Sequence, residues 1–208
     1  MAVTAVDQVT IDIHPGSFLA VVGRSGSGKT TLLNLLSGLD RPTGGEVFFQ
    51  GRDLTTLPEA DLVELRRNKI GFVFQSFGLM PLLSALENVE LPLHIRGASW
   101  RERRSRAQEA LDMVGLGPRS RHRPYELSGG EQQRVSIARA LVTGAAVIFA
   151  DEPTGELDTT TAVSIGEILR DVAREHGTTV IVATHDLILA EISDRIVELV
   201  DGQIILER

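Results

Sequence analysis

The sequence predicts an α/β fold, with a mainly parallel sheet core covered by helices, a helical insert, and a small antiparallel β part. Three observations carry this. Short β-branched runs alternate with helix-period segments, the pattern left by strands joined through crossover helices. Two runs, Ala146–Ala150 and Thr179–Ala183, are apolar without alternation, as strands buried on both faces are. The stretch from Ser76 to about Val142 has helical periodicity and almost no strand signal. A length of 208 residues suits one large α/β domain. Residues 1–208 are therefore expected to form a single domain, with 76–142 as an approximate helical subdomain inside it.

The elements follow in order. Phe18–Val22 reads as a buried strand that feeds a glycine loop and then a helix from about Lys29 to Leu39. Glu46–Gln50 reads as a strand ending at Gly51, and Ile70–Phe74 as another. Pro92 and the Gly115–Pro118 segment punctuate the helical insert. Ile165, Ile168, Leu169 and Val172 fall at i, i+3, i+4 and i+7, so a helix covers the sheet between the two central strands. Arg195–Val200 and Ile204–Glu207 form a hairpin that turns at Asp201-Gly202.

Composition excludes several function classes. Hydrophobic residues make up 42% of the chain, enough for an ordinary core without a disulfide or metal staple. There is no cysteine, which removes thiolate metal sites, redox dithiols and disulfide frameworks. A formal net charge of -7 argues against a general nucleic-acid partner, because neutralising phosphates needs clustered positive charge. No apolar run approaches the roughly 20 residues that cross a bilayer. The start, MAVTAVDQVT, has no basic segment followed by an apolar one, so no signal peptide is expected. Any transport role therefore needs other subunits.

Gly23-Arg24-Ser25-Gly26-Ser27-Gly28-Lys29-Thr30 matches the phosphate-loop pattern G-x-x-x-x-G-K-[ST] between a predicted strand and a predicted helix. The glycines let backbone N–H groups curl around phosphates, and the helix N-terminus, continuing into Thr31, adds its positive end. Lys29 reaches the terminal phosphates and Thr30 offers a hydroxyl to Mg²⁺. Asp151 and Glu152 stand at the C-terminal end of the strand ending at Ala150, the edge where open α/β sheets bind ligands. Asp151 suits the Mg²⁺ shell, and Glu152, pointing elsewhere, is placed to polarise an attacking water.

Leu127–Leu141 reads LSGGEQQRVSIARAL. Ser128, Gly129 and Gly130 precede a helix patterned on Val135, Ala138 and Leu141, which makes a second anion-binding nest. One chain with two such devices suits a head-to-tail dimer, in which the nest of one subunit faces ATP on the loop of the other. The segment resembles the signature motif of ABC transporter ATPase subunits, with Glu131 in its last position. The resemblance runs along essentially the whole chain: phosphate loop, Gln75, signature, Asp151-Glu152, Leu157-Asp158 and His185. It implies a P-loop NTPase (RecA-like) fold and an ATPase with ATP and Mg²⁺ as cofactors. Gln75 is then similar to the glutamine that senses Mg²⁺ and the attacking water. His185 resembles the switch histidine at the γ-phosphate, and Asp158 the aspartate that communicates between the two sites.

Gly71–Leu93 and Leu33–Val47 resemble the branch that includes macrolide-efflux, lipoprotein-releasing and cell-division ATPases. That branch implies transmembrane permease subunits, a second ATPase subunit that is a copy or close paralogue, and peripheral attachment at the cytoplasmic face of the cell membrane. The efflux or mechanotransmission role has one alternative, a cell-division type ATPase that signals through a membrane partner without transport. Two features depart from the family. No aromatic precedes Phe18, where the family stacks one on adenine, and the usual first strand is missing from the pattern. Either adenine is held by another surface or the chain begins late in the family's pattern. Glu156 stands where close relatives often carry an amide. A basic cluster, Arg101, Arg103, Arg104 and Arg106, reads as a solvated helix face, with anionic lipid headgroups or an acidic permease loop as the alternative contact.

Overall fold

A computed structural model describes residues 4–208 of the chain. The elements are β1 (Phe18–Val22), α1 (Lys29–Leu36), β2 (Phe48–Phe49), β3 (Arg52–Asp53), α2 (Glu59–Lys69) and β4 (Ile70–Phe74). They continue with α3 (Ala85–Ile95), α4 (Trp100–Met113), two short 3₁₀ turns, α5 (Gly129–Leu141) and β5 (Val147–Asp151). The chain ends with α6 (Thr159–His176), β6 (Thr179–Thr184), α7 (Leu187–Ile192), β7 (Arg195–Val200) and β8 (Gln203–Glu207).

The main sheet has the order β4-β5-β6-β1-β7-β8. Its first five strands are mutually parallel, and β8 returns antiparallel on β7. Alternate side chains of the central strands enter two different cores. Phe18, Ile148, Ala150, Val180 and Val182 pack toward α3, α5 and α6. Leu19, Val21, Val147, Phe149, Ile181 and Ala183 pack toward α1 and the segment carrying Val6, Val9, Ile11 and Ile13. Burial on both faces explains why these strands read as unbroken apolar runs. Because β1, β4, β5 and β6 run in one direction, their C-terminal ends open at one edge, and every loop after them meets there.

Several expectations need adjustment at their ends. The helix from Lys29 stops at Leu36, because Gly38 adopts a left-handed conformation (φ 66°) and the chain turns back, Leu39 N–H donating to the Asn34 carbonyl. The strand expected over Glu46–Gln50 reduces to Phe48–Phe49 and pairs with Arg52–Asp53 in a separate two-stranded sheet. Gln50 and Gly51, both at positive φ, make its turn. The hairpin of β7 and β8 uses Asp201 and Gly202 in the same way. Pro92 does not end a helix; it lies inside α3 and forfeits one helical hydrogen bond. The helix α2 had no sequence reading, since Leu62 is its one buried residue and no apolar stripe marks it.

Between β4 and β5 the chain is helical, and α3, α4 and α5 share a core of Leu86, Val89, Leu93, Leu111, Val135 and Ile137. The basic cluster lies on α4. Arg104 and Arg106 pair with Glu90 and Glu102, and Arg103 contacts His94, so two of its four charges are matched by carboxylates.

Candidate nucleotide site

The loop after β1 is built to leave donors unused. Gly28 stands before α1 with φ 102°, no side chain caps the helix, and no acidic residue lies in its first turn. The first N–H groups of α1 and the positive end of its dipole are thus left for a ligand. A Cβ at Gly23 would overlap the Leu199 carbonyl, and one at Gly28 the Ala5 carbonyl, so the cradle requires glycine at both positions. Arg24, Ser25 and Gly26 form its exposed crest, and the Ser27 hydroxyl is buried without a hydrogen-bond partner. Thr31 continues the helix.

Lys29 is 6% exposed and curls back into the loop. Its Nζ donates to the Gly23 carbonyl at 2.8 Å and the Arg24 carbonyl at 3.1 Å, and lies 3.7 Å from Glu152 Oε1. A buried ammonium held by two carbonyls and one distant carboxylate can exchange these partners for phosphate oxygens at little cost. The Thr30 hydroxyl donates to Asp151 Oδ2 at 2.9 Å, while Asp151 Oδ1 is buried with no partner. Burial pushes the Asp151 carboxyl above its ordinary range, against the Thr30 hydrogen bond and Lys29, with the Glu152 charge adding to the rise. An unsatisfied, half-desolvated carboxylate beside a threonine hydroxyl fits a hard divalent cation. Among the described residues no cluster of three or more His, Asp or Glu side chains could hold a metal alone.

Glu152 has φ 48°, a conformation that non-glycine residues seldom adopt. Strain of this kind persists where surrounding contacts impose it. Glu152 Oε2 lies 2.9 Å from His185 Nδ1 and accepts from the His185 N–H and the Thr184 hydroxyl, each at 3.3 Å. The parallel pairing of β5 with β6 brings these groups together, and Glu152 N–H donates to the Ala183 carbonyl just beyond it. Gln75 leaves the end of β4, and its side chain passes over Gly155, in the loop that follows Glu152.

Ser128, Gly129, Gly130 and Glu131 gather elsewhere. Ser128 caps α5 and forms a reciprocal capping box with Glu131, whose carboxylate accepts the Ser128 N–H at 2.9 Å. Asp158 caps α6 by accepting from Thr161, and Gly130 packs so tightly on Thr161 that a Cβ would overlap it. A cavity of about 540 Å³ opens here, lined among others by Ser128, Gly130, Glu131, Arg119 and Thr161, none of them from the phosphate loop. The expected residues thus fall into two groups on one chain: Gly23–Thr31 with Asp151, Glu152 and His185, and Ser128–Glu131 with Asp158.

A family model described as "ABC transporter" matches residues 6–155. The chain belongs to the ABC transporter family. It is 50% identical over 205 residues to the macrolide export ATP-binding/permease protein MacB of Brucella melitensis, covering 99% of this chain and 32% of that protein. The cassette therefore spans about a third of the length of these macrolide-export relatives. An uncharacterised ABC transporter ATP-binding protein of Methanocaldococcus jannaschii, MJ0796, is 50% identical over 204 residues, 96% of this chain and 87% of its own length. The dimeric post-hydrolysis structure of that ATP-binding cassette, bound to ADP and Pi, superposes with a TM-score of 0.89 and 47% identity, covering 99% of this chain and 90% of that one. The structure of cbiO1 from Clostridium perfringens, part of the transporter complex cbiONQ, superposes with a TM-score of 0.90 and 30% identity, covering 98% and 81%.

The cassette also uses residues that sequence reasoning missed. Gln133, fully buried on α5, donates to the Pro153 carbonyl at 2.7 Å and the Phe74 carbonyl at 3.4 Å, so it ties the signature helix to the strand ends carrying Gln75 and Glu152. Arg139 donates to the Phe77 and Gly78 carbonyls and holds the loop after Gln75. Thr154 donates to Asp186 at 3.0 Å and links the loops after Glu152 and His185. In the sequence each is one polar residue on a helix or loop, and burial alone sets it apart. Among the described residues no helix is long and apolar enough to cross a membrane.

Proposed function

We propose that this chain is the ATP-binding and ATP-hydrolysing subunit of an ABC transporter, acting as a head-to-tail pair on a separate membrane-spanning permease of the efflux or mechanotransmission kind. The whole chain, 1–208, acts as one ATPase domain, with 76–142 as its helical signature subdomain. The permease holds it at the cytoplasmic face of the cell membrane. One observation carries the reading: the open helix start at Lys29 and the signature start at Ser128 lie in separate groups, so the γ-phosphate is enclosed when a second subunit brings its signature to it.

Each residue then has a task. Lys29 releases the Gly23 and Arg24 carbonyls to bind the terminal phosphates, and the N–H groups from Gly26 to Thr31 take the remaining oxygens. Thr30, Asp151 and Gln75 would hold Mg²⁺, which neutralises charge on the phosphate oxygens. Glu152 accepts the proton of a water as its oxygen bonds to the γ-phosphorus and the bond to the bridging oxygen of ADP breaks. His185 and Thr184 keep the Glu152 carboxylate aimed, and Ser128, Gly129, Gly130 and Glu131 of the partner copy close over the phosphate. Asp158, capping α6 beside that signature, relays closure from one site to the other. Catalysis here is positioning and charge stabilisation.

Glu152→Gln tests this. Turnover with the permease in lipid should fall about 10²- to 10⁴-fold while ATP binding persists, as expected for loss of a general base. Unchanged turnover would take Glu152 out of the mechanism.

A further inference from the structure

His185 is the least supported member of the group around Lys29. Its side chain is 69% exposed, and among the described residues its ring has one hydrogen-bond partner, Glu152 Oε2 at 2.9 Å. A ring with a single contact keeps its aim only where the backbone beneath it is held in place.

That backbone belongs to a closed circuit of two short segments, Glu152-Pro153-Thr154 after β5 and Thr184-His185-Asp186 after β6. They are bonded to each other at both ends. At one end the Thr184 hydroxyl donates to Glu152 Oε2 at 3.3 Å, and at the other the Thr154 hydroxyl donates to Asp186 Oδ2 at 3.0 Å. Thr184 and Thr154 are both buried. The Asp186 N–H donates to the Thr184 hydroxyl at 3.0 Å, and Asp186 Oδ1 accepts the Ile188 N–H at 2.9 Å and caps α7. Both carboxylate oxygens of Asp186 are thus engaged by donors of its own chain. At the centre of the first segment stands Pro153, whose ring fixes φ and whose carbonyl accepts from the buried Gln133 at 2.7 Å. At the centre of the second stands His185. The first segment is rigid, so whatever is tied to it on both sides of His185 shares that rigidity.

We infer that the Thr154–Asp186 hydrogen bond is a latch that positions His185: with it broken, His185 loses its aim at Glu152 while the nucleotide stays bound. This rests on the catalytic roles proposed above for Glu152 and His185. Thr154 and Asp186 are positioning residues and act through His185.

The test uses the full chain with its permease in lipid. Thr154→Val replaces the hydroxyl by a methyl group, and Thr154→Ser keeps it. In Thr154→Val, kcat should fall about 5- to 100-fold, the range for breaking one bond of a coupled network, with KM for ATP within about twofold. Thr154→Ser should recover most of that loss. A raised KM with unchanged kcat would place Thr154 in nucleotide binding and overturn the inference. The comparison is then repeated on His185→Ala. There Thr154→Val should lower the residual turnover less than about twofold, although it lowers thermal stability equally in both backgrounds. The same fold loss with and without His185 would mean that Thr154 acts on the loop at large, which also overturns the inference. A second measurement needs no turnover. The His185 ring signals in the NMR spectrum, assigned by their absence from His185→Ala, should move and broaden in Thr154→Val and stay close to the parent in Thr154→Ser. Signals unmoved by Thr154→Val would show that the latch does not hold the ring. Full turnover in His185→Ala alone would overturn the catalytic role proposed for His185, while the ring signals still decide the latch.

Discussion

Helices α1 and α5 both begin at glycine-rich segments, and both were expected to bind anions, yet their first turns are finished in different ways. At α1 nothing on the chain caps the helix, the preceding residue is a left-handed glycine, and the nearest charge is the buried Lys29. At α5 a capping box is formed: Ser128 and Glu131 satisfy one another, and Arg119 lies 3.5 Å from the Glu131 carboxylate. An open helix start is a standing anion site, because its donors have no partner but the ligand or water. A capped one has already committed part of its start, here the N–H groups of Ser128 and Glu131, and meets a phosphate with those of Gly129 and Gly130. The difference assigns the two ends different work. On the function proposed above, the first provides affinity, and the second responds to a nucleotide held by the other copy.

The largest effect should come from the open end. Lys29→Ala removes the one cation aimed at the terminal phosphates and leaves Glu152 without its nearest positive charge. Losing a charge-assisted hydrogen bond in a partly buried site costs about 1.5–3 kcal/mol, so ATP affinity should fall about tenfold to a hundredfold in a direct titration. Thermal stability without nucleotide should change much less. Affinity within a factor of two of the parent would mean that the backbone nest alone holds the phosphates.

Ser128→Ala probes the closed end and should be weaker. The hydroxyl caps α5 for about 1 kcal/mol and offers the phosphate one further hydrogen bond, assisted by the anion's charge and worth about 1.5 kcal/mol at the exposed end of the range. ATP binding by the single subunit should therefore be nearly unchanged, while the ATP concentration needed for dimer formation rises about tenfold. Equal losses in both measurements would place Ser128 at its own chain's nucleotide, and the contrast between the helix ends would fail.

The same two helices show what sequence can and cannot reveal. Gly23–Thr30 was legible because its chemistry demands fixed residue types at fixed spacing, and the left-handed Gly28 with its unpartnered helix start is the physical form of that demand. Strands β1, β5 and β6 were legible because burial on both faces leaves an apolar run. The group of Asp151, Glu152 and His185 was expected from motif order, but the strained φ of Glu152 and its contact with His185 depend on the β5–β6 register, which no local pattern encodes. The polar helix α2 escaped because one buried leucine makes no stripe. Gln133 escaped for a related reason: its bonds reach 59 and 20 residues along the chain, and a glutamine in a helix is ordinarily a surface residue.

Glu131 sharpens the comparison with the smallest effect, and its sign follows from the capping box. The Ser128 N–H is the main cause that holds the Glu131 carboxyl below its ordinary value of 4.5, against the opposing effect of burial, with the Ser128 hydroxyl and Arg119 adding to the fall. A carboxyl so lowered contributes stability that is fully present above that ordinary value and fades as pH falls through its folded value. Glu131→Gln keeps a weaker acceptor for the Ser128 N–H and removes the charge. The variant should be less stable than the parent at pH 7 by about 0.5 kcal/mol, the scale of a partly exposed charge at a helix N-terminus. Denaturation curves for the two should converge as pH drops from 5 to 3. Without the carboxylate, the signature also presents less negative charge to an approaching γ-phosphate. ATP-driven dimer formation should then become slightly easier at neutral pH, even as α5 itself loosens. A gap that stays constant across the pH range would locate the effect in side-chain shape. A parallel loss of dimer formation would show that the capped form of α5 is the one that receives phosphate.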